Sequence, residues 1–507
     1  MAYPDADRRA LRNVLLVVVA IWVAVFALRL AAPSNMVDND QFLSASYVID
    51  ITENGAWLVQ RDAAGDIASK PPLHPWLCAI AAIVTGGVSE FSLRLPSALA
   101  VLGVAVLIVL VGRARFGLIP SAIGAAALLL SPMGIKQVAL VRTDPLFGLL
   151  VFGTAIGAFL AWESGRGWMR VWIIAALSTI TKGPLVVVLG ALGLLAAWWE
   201  KRTGRPLPVR GGHIAGVAVF VLIAGGWFAL AWADAGRAFI DKVIFDELLG
   251  HAVTSPRGDF PGTKIYRAPL YLMARFLPWS VFAAIAVWRV FRDPSPDDSA
   301  RRLERFLTCY MLGGMVLFGL APHMRPDIIY PLIPAAAMLA GREVERLVHA
   351  LRPRTTAALA VLTLAGVLGG AYAYYHHQQP KHPRIARSLE MRTLIDDLRA
   401  RFGPHVGADP EIVFVDDTPG ILQHYLRVRR TRVTHEHALT LLAEDPDRRL
   451  VAVVDAESLA TLWTLRGAPG RIETLLTWRA EDGGQIQIAR LVPATAEHDA
   501  PSRHDAD

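Results

Sequence analysis

Long apolar runs separated by basic loops restrict the fold of this sequence more than any other feature. About eleven segments approach the roughly 20 apolar residues that a helix needs to cross a bilayer. They lie at about 12–32, 94–112, 117–132, 145–163, 168–181, 183–199, 213–233, 271–292, 305–321, 326–341 and 356–375. The 507-residue chain is 54% hydrophobic and 19% charged, whereas soluble proteins are about 25% charged. We therefore expect a polytopic α-helical membrane protein.

Lysines and arginines of the short loops predict the orientation of the chain, because cytoplasmic loops are enriched in them. With the N-terminus in the cytoplasm, the basic clusters fall in alternate loops, at 113–115, 166–170, 201–210, 289–305 and 342–354. An odd number of spans then places the C-terminus outside. The net charge of +7 is explained by these loops and does not indicate a nucleic-acid partner. The expected location is the bacterial inner (cytoplasmic) membrane.

Three segments are expected outside the membrane part, which spans 1–375: loops at 33–93 and 234–270, and the chain after about 375. The composition changes at 376, and short strands are predicted there at Glu411–Val415, Leu450–Val454, Ile472–Trp478 and Gln485–Leu491. Helical patterns accompany them at Ser388–Arg401 and His435–Leu442. We predict an extracytoplasmic, periplasmic α/β domain at 376–493 and a disordered tail at 494–507.

Ionisable side chains in or beside the apolar runs are expensive in a bilayer and are functional candidates for that reason. In the predicted orientation all of them face outward, whereas residues without a function would be distributed over both sides. They are Asp38, Asp40, Lys70, Arg94, Arg142, Asp144, Lys182, His251, Arg275 and Arg325. A polar site near the outer leaflet is the simplest interpretation of the set.

Individually, these residues also have ordinary structural explanations. Arg94, Arg275 and Arg325 are typical of helix-end arginines that extend toward the interface. Asp144 could form an ion pair with a neighbouring arginine or cap a helix. Lys182 could belong to a tight turn between two helices.

The acidic residues after the first span have a similar choice of explanations. Asp38 and Asp40 could belong to a solvated loop, and His251 alone is weak evidence for a ligand site. Apolar residues at 42, 47, 48 and 51, however, predict a helix that starts beside Asp40. The dipole of such a helix keeps a carboxylate at its N-terminus ionised.

The chemistry of the set favours a lipid-phosphate substrate. Clustered cations at the level of lipid head groups suit a phosphate or pyrophosphate. A carboxylate opposite them suits a general base that acts on a hydroxyl. An alcohol that attacks a lipid-phosphate substrate is therefore a plausible reaction.

Short motifs follow one another in order along the membrane part. They are Asp40-Gln41, Gly55-Ala56-Trp57, Lys70-Pro71-Pro72-Leu73-His74-Pro75-Trp76, Arg94-Leu95-Pro96, Arg142-Thr143-Asp144, Thr181-Lys182-Gly183-Pro184, Leu277-Pro278-Trp279-Ser280 and Arg325…Tyr330…Pro334. In order and spacing they resemble the GT-C glycosyltransferases, specifically the lipid A aminoarabinose transferases and protein O-mannosyltransferases. The resemblance covers about 12–375.

The resemblance implies a glycosyltransferase, hexosyl- or pentosyl-, whose donor is a sugar on a polyprenyl monophosphate in the outer leaflet. Asp40 would deprotonate or orient the acceptor hydroxyl, which attacks the anomeric carbon with inversion. Lys70 would hold the donor phosphate together with Arg142, Lys182 and Arg325.

Cofactor and acceptor are less defined by the resemblance. The family's acidic pair after the first helix is Asp-Glu, whereas Gln41 follows Asp40 here. This departure puts in doubt any metal site that relies on the second acid, so no cofactor is assigned and a divalent metal stays an open requirement. The acceptor hydroxyl or phosphate could belong to a glycolipid such as lipid A, to a polysaccharide of the cell envelope or to a protein.

Two other classes of protein compete with a transferase. A secondary transporter or lipid flippase would carry its ionisable residues near the midplane, often with inverted repeats, whereas this chain carries them at the outer helix ends. A membrane scaffold whose outer domain binds a partner would not need the clustered cations.

Overall fold

The structure is a computed structural model, and it describes residues 4–36, 39–202, 211–250, 262, 265–321, 324–415, 420–428, 432–479 and 485–493. The chain forms two compact units. The first comprises Met1–Ala32, Ile51–Gln60 and Ile67–His376. The second comprises Pro33–Asp50, Arg61–Asp66 and His377–Asp507.

The part of the chain up to residue 202 is mainly helical. Its helices are α1 (Pro4–Ala31), α2 (Asn39–Asn54), α3 (Leu73–Thr85), α4 (Glu90–Gly112), α5 (Leu118–Leu129), α6 (Pro132–Gln137), α7 (Asp144–Ser164), α8 (Trp168–Lys182), α9 (Leu185–Leu192) and α10 (Leu195–Arg202). Each apolar run predicted in this part coincides with one or two of these helices.

The remainder of the first unit is helical as well. It contains α11 (His213–Phe220), a π-helical turn (Val221–Gly225), α12 (Gly226–Phe239), a second π-helical segment (Ile240–Gly250), α13 (Arg267–Arg275), α14 (Trp279–Arg292), α15 (Asp298–Leu320), a 3₁₀ helix (Pro326–Leu332), α16 (Ile333–His349), α17 (Pro353–Ala373) and a π-helical turn (Tyr374–Gln378). The predicted loop 234–270 is thus helical at both its ends.

Six helical stretches of the described chain are long and apolar enough to cross a membrane. They are Asp7–Ala31, Glu90–Gly112, Asp144–Ser164, His213–Glu247, Asp298–Leu320 and Pro353–Lys381. The other predicted spans are shorter or interrupted, as at 183–199, which is divided between α9 and α10. The chain is therefore a multi-pass membrane protein, and the number eleven stays a prediction. The run 75–87, predicted as interfacial or re-entrant, forms most of α3.

Charged residues lie at both ends of α7, and their separation matches a bilayer. Asp144 is the first residue of α7 and Glu163 lies beside its last residue. The 19 residues between them rise by about 28 Å in an α-helix, close to the roughly 30 Å of a hydrocarbon core. The apolar length of α7 therefore suits a full span with a polar cluster at each end.

The cluster at the Glu163 end consists of buried glutamates, each paired with one or two arginines. Glu163 accepts Arg115 and Arg302 at 2.7 and 3.0 Å, and Glu200 accepts Arg305 at 2.6 Å. Further pairs of the same kind are Arg301–Glu200, Arg342–Glu304, Arg289–Glu343 and Arg346–Glu343. These arginines, predicted as orientation signals, therefore also join helices to one another.

Small residues allow close helix packing in the core of the first unit. A Cβ on Gly124 of α5 would lie 2.7 Å from the Ala337 carbonyl oxygen of α16, and one on Gly341 would lie 2.3 Å from the Pro120 carbonyl oxygen. Helices without a hydrophobic driving force between them depend on such close backbone approach.

The second unit is built on a four-stranded sheet. Its strands are β1 (Glu411–Phe414), β2 (Arg449–Val453), β3 (Arg471–Arg479) and β4 (Gln485–Val492), in the order β1-β2-β4-β3. β1 and β2 are parallel, and the other two pairings are antiparallel. The helices of this unit are α18 (Pro383–Phe402), α19 (Gly420–Leu426), α20 (His435–Glu444) and α21 (Ala456–Leu465). The strands coincide with the four segments predicted from the sequence.

Alternating side chains of the sheet form two cores. Ile412 and Phe414 pack with Leu394 and Leu398 of α18. Val413 packs on the opposite face, with the apolar residues of α20 and α21. Because successive side chains of a strand point to opposite faces, the apolar strands predict this three-layer arrangement.

Residues 33–50 belong to the second unit although the sequence assigns them to the membrane part. The Phe42 ring meets the Tyr425 ring edge-on, with centroids 6.2 Å apart. Ser388 Oγ donates to the Met36 carbonyl at 3.3 Å and lies 3.2 Å from the Tyr425 hydroxyl. The N-terminal part of α2 is therefore supported by α18 and α19.

A glycine tests the packing of α7 against the 3₁₀ helix. A Cβ on Gly148 would lie 2.4 Å from the Tyr330 ring, whereas one on Gly153 of the same helix would lie 3.6 Å from its nearest neighbour. We expect Gly148→Ala to destabilise the protein by about 1–3 kcal/mol through overpacking. Thermal unfolding in detergent measures this, and an equal effect of Gly153→Ala would contradict the close contact.

Candidate active site

Two helix ends bring oppositely charged residues together. α7 begins at Asp144, directly before Pro145, and Thr143 makes no side-chain cap. α8 ends at Lys182 because Gly183 adopts φ +104°, a conformation that favours glycine. α7 and α8 pack as neighbours joined by a short turn, so the start of one lies beside the end of the other.

Five side chains form a continuous charge network at this end of α7, and they alternate in sign. The Lys182 ammonium group contacts Asp144 Oδ1. Arg142 contacts Asp144 Oδ2 at 3.1 Å and Asp327 Oδ2 at 3.4 Å. Lys136 Nζ donates to both oxygens of Asp327, at 2.8 and 2.7 Å. The network thus joins α6, α7, α8 and the 3₁₀ helix.

The centre of the network is buried and its two ends are accessible. The side chains of Arg142, Asp144 and Asp327 are 9%, 6% and 10% exposed, whereas Lys182 and Lys136 are 25% and 29% exposed. The network contains three cations and two carboxylates, so it keeps an excess positive charge. Since a buried carboxylate is stable only when it is paired, the two aspartates depend on the central arginine.

Lys70 adds a further positive charge to this region. It lies half-buried in a bend before α3 and acts electrostatically on both Asp144 and His74. His74 is fully buried, with Nε2 3.4 Å from Ser97 Oγ, and Ser97 Oγ donates to the Arg142 carbonyl at 3.4 Å. Burial lowers the pKa of His74 to about 4, so the ring is neutral at physiological pH.

Asp40 lies in the first turn of α2 and is half-buried. Its carbonyl accepts the Ser44 hydroxyl at 2.8 Å. The next residue, Gln41, is buried, and its Nε2 donates to the Asn35 carbonyl at 3.1 Å. The amide that replaces the family's second acid therefore serves as a donor, which a carboxylate could not do.

The other candidates lie in different environments. Arg94 is buried in α4 and pairs with Glu90 at 2.7 Å. Arg275 is half-buried at the end of α13, and Arg325 is exposed directly before the 3₁₀ helix. Asp38 and His251 lie outside the described residues, as does the predicted tail 494–507.

Sequence reasoning missed Lys136 and Asp327 as site residues. Asp327 lies two positions after the candidate Arg325, and Lys136 follows the apolar run at 117–132, so both met the rule for ionisable residues beside spans. Their partnership joins positions 191 apart, which no local pattern indicates. Within the described part of the chain, no group of three or more His, Cys, Asp or Glu side chains could hold a metal ion.

Comparisons with known proteins agree with this geometry. Residues 69–227, which contain Lys70 and the α6–α8 part of the network, match the family described as dolichyl-phosphate-mannose-protein mannosyltransferase. A protein of Aquifex aeolicus (strain VF5) named "Uncharacterized protein" is 28% identical over 276 residues. This match covers 54% of the chain and 59% of that relative, so the chain spans little more than half of the relative's length.

Solved structures show the same fold. ArnT from Cupriavidus metallidurans bound to undecaprenyl phosphate is 18% identical with a TM-score of 0.68, covering 94% of this chain and 97% of that one. Its apo form gives 0.69 at 18% identity, covering 96% and 98%. The apo oligosaccharyltransferase of Archaeoglobus fulgidus gives 0.52 at 12% identity, covering 97% and 75%. The chain has the GT-C fold, and the resemblance predicted from the sequence is confirmed.

A double-mutant cycle tests the buried pair. We expect Asp144→Asn and Lys182→Met each to destabilise the protein, with Asp144→Asn and Lys182→Met combined costing less than the sum, by about 0.5–3 kcal/mol. Unfolding in detergent gives the coupling free energy. The exposed pair Arg237–Asp241, at 3.6 Å, is the matched control and should couple by about 0–1 kcal/mol. Equal coupling in both pairs would contradict the buried network.

Proposed function

We propose that this protein is a membrane glycosyltransferase of the bacterial inner membrane. It moves a sugar, hexose or pentose, from a polyprenyl monophosphate to a hydroxyl or phosphate of an acceptor on the outer face. The observation that carries the proposal is the charge network of Lys182, Asp144, Arg142, Asp327 and Lys136, which keeps excess positive charge at one end of a membrane-length helix. The GT-C fold supports the same reaction.

The donor phosphate binds where cations of this network are accessible. Lys182 is the exposed end of the network, and Lys70 acts electrostatically on its partner Asp144. These two ammonium groups hold the phosphate, and Arg142 holds the carboxylates in position behind them. Arg325 and Arg275 are candidates for further contacts with the phosphate.

Transfer requires charge stabilisation on the leaving group and activation of the acceptor. Negative charge builds on the lipid phosphate as the glycosidic bond breaks, and preorganised cations stabilise it. Asp40 orients or deprotonates the acceptor hydroxyl as general base. Its place in the first turn of α2 favours the ionised carboxylate, and the attack inverts the anomeric carbon.

The acceptor is a glycolipid such as lipid A, an envelope polysaccharide or a protein. With the N-terminus cytoplasmic, the Asp144 end of α7 and the α/β unit lie on the periplasmic side. In this orientation the Arg–Glu pairs around Glu163 lie on the cytoplasmic side, as the positive-inside rule requires.

Substitution of the general base tests the reaction. We expect Asp40→Asn to lower transfer from labelled polyprenyl-phosphate sugar by about 10²–10⁴-fold, since the amide cannot accept the proton. Transfer is measured in membranes, and protein level and unfolding temperature confirm that the variant folds. Asp66→Asn, an exposed aspartate of the same unit, should transfer like the native protein. Undiminished transfer by Asp40→Asn would remove Asp40 as the base.

Substitution of Lys70 tests the phosphate site. Loss of a charge-assisted contact costs about 1.5–3 kcal/mol, so Lys70→Ala should weaken donor dependence about 10- to 100-fold. The acceptor dependence should change little. Lys381→Ala, an exposed lysine, is the control. If Lys70→Ala weakens acceptor dependence and leaves donor dependence unchanged, Lys70 does not hold the donor phosphate.

A further inference from the structure

Arg29 is a buried arginine that the proposed reaction does not use. It lies in the last turn of α1 and is 1% exposed. Its Nε, Nη1 and Nη2 atoms have no hydrogen-bond partner in the part of the chain that the structure describes. Burial of a charged group without a partner is strongly unfavourable, so this guanidinium group requires a partner that the chain does not supply.

Tyr375 covers one face of Arg29. The guanidinium carbon lies 3.5 Å from the centroid of the Tyr375 ring, which is a cation–π contact. That contact uses the face of the guanidinium plane. The five N–H donors of an arginine point outward in the plane, along its edge, so the ring leaves them unsatisfied.

Arg94 brings a second guanidinium group to the same place. Arg94 is also 1% exposed, and its Nη1 lies 3.4 Å from the Arg29 carbonyl oxygen, to which it donates. Its Nη2 pairs with Glu90. The capping box of Ser89 and Ser92, with Ser89 N donating to Ser92 Oγ at 2.8 Å, fixes the start of α4 and hence the position of Arg94.

The position of the two arginines indicates a lipid head group. Arg29, Arg94 and Tyr375 lie at adjoining ends of three of the apolar membrane-length helical stretches. Tyr372 and Tyr374 beside them are 50% and 52% exposed. Exposed tyrosines at such helix ends are typical of the membrane interface, where lipid phosphates lie. The arginine fork matches phosphate oxygens in geometry.

We propose that Arg29 and Arg94 bind the phosphate group of a membrane phospholipid. The phosphate oxygens accept the in-plane N–H groups of Arg29, and its charge compensates the buried cation. The lipid thereby joins the adjoining ends of α1, α4 and the Tyr374–Gln378 turn. This site is separate from the donor phosphate site at Lys70 and Lys182, and its occupation does not depend on sugar transfer.

Lipid binding to the purified full chain tests the proposal. The protein is stripped of lipid in detergent and titrated with dioleoyl phosphatidic acid, with dioleoylglycerol as the lipid that lacks the phosphate. Non-denaturing mass spectrometry and the unfolding temperature report binding. We expect the native protein to bind phosphatidic acid at least tenfold more tightly than Arg29→Met does, and to be stabilised by it. Dioleoylglycerol should produce no stabilisation.

Three further variants make the result specific. Arg29→Lys keeps the charge without the fork and should bind with intermediate affinity. Arg237→Met, an exposed arginine, and Lys70→Ala, at the donor site, should both bind like the native protein. Loss of binding in Lys70→Ala would mean that the lipid occupies the donor site and would overturn the proposal.

The stability of the lipid-free protein gives an independent readout. Removal of an uncompensated buried charge should leave the unfolding temperature of Arg29→Met unchanged or raised. A large decrease, or binding of phosphatidic acid by Arg29→Met as tight as in the native protein, would show that Arg29 is purely structural. Equal stabilisation by inorganic phosphate and phosphatidic acid would overturn the assignment to a lipid.

Discussion

The ion pairs that Arg142 forms with Asp144 and Asp327 are the constraint on which the rest of the site depends. Both carboxylates are almost fully buried, and removal of their arginine would leave them uncompensated at a large cost. The two accessible lysines, Lys136 and Lys182, are held at opposite ends of this buried centre. Their ammonium groups can therefore face a ligand from fixed positions, without the loss of side-chain freedom that a flexible surface lysine incurs.

The same network explains how the helical unit is organised around α7. Polar clusters at Asp144 and Glu163 fix the two ends of an apolar helix of membrane length, so neither end can move into the hydrocarbon without breaking buried ion pairs. The two clusters differ in kind. Each glutamate at the Glu163 end is enclosed by arginines, as structural pairs are, whereas the Asp144 end adds lysines that remain accessible. This asymmetry is what makes one end of the helix suitable for an anionic substrate.

Apolar runs and alternating strands are local signals, and for this reason the helices and the four strands lie where the sequence predicts them. Lys70, Asp144 and Lys182 could also be predicted, since a charge beside a span is a local signal too. The pairing of Lys136 with Asp327 and the packing of Phe42 against Tyr425 could not, because each joins residues far apart in the chain. The amide of Gln41 departs from the family motif, and only its buried hydrogen bond to Asn35 explains its place.

An experimental structure with bound polyprenyl phosphate tests the central claim most directly. The account predicts that the phosphate lies at the Asp144 end of α7, with oxygens about 2.7–2.9 Å from the ammonium groups of Lys70 and Lys182. A phosphate bound at the Glu163 end of the helix, or held by Arg29 with no contact to either lysine, would contradict it.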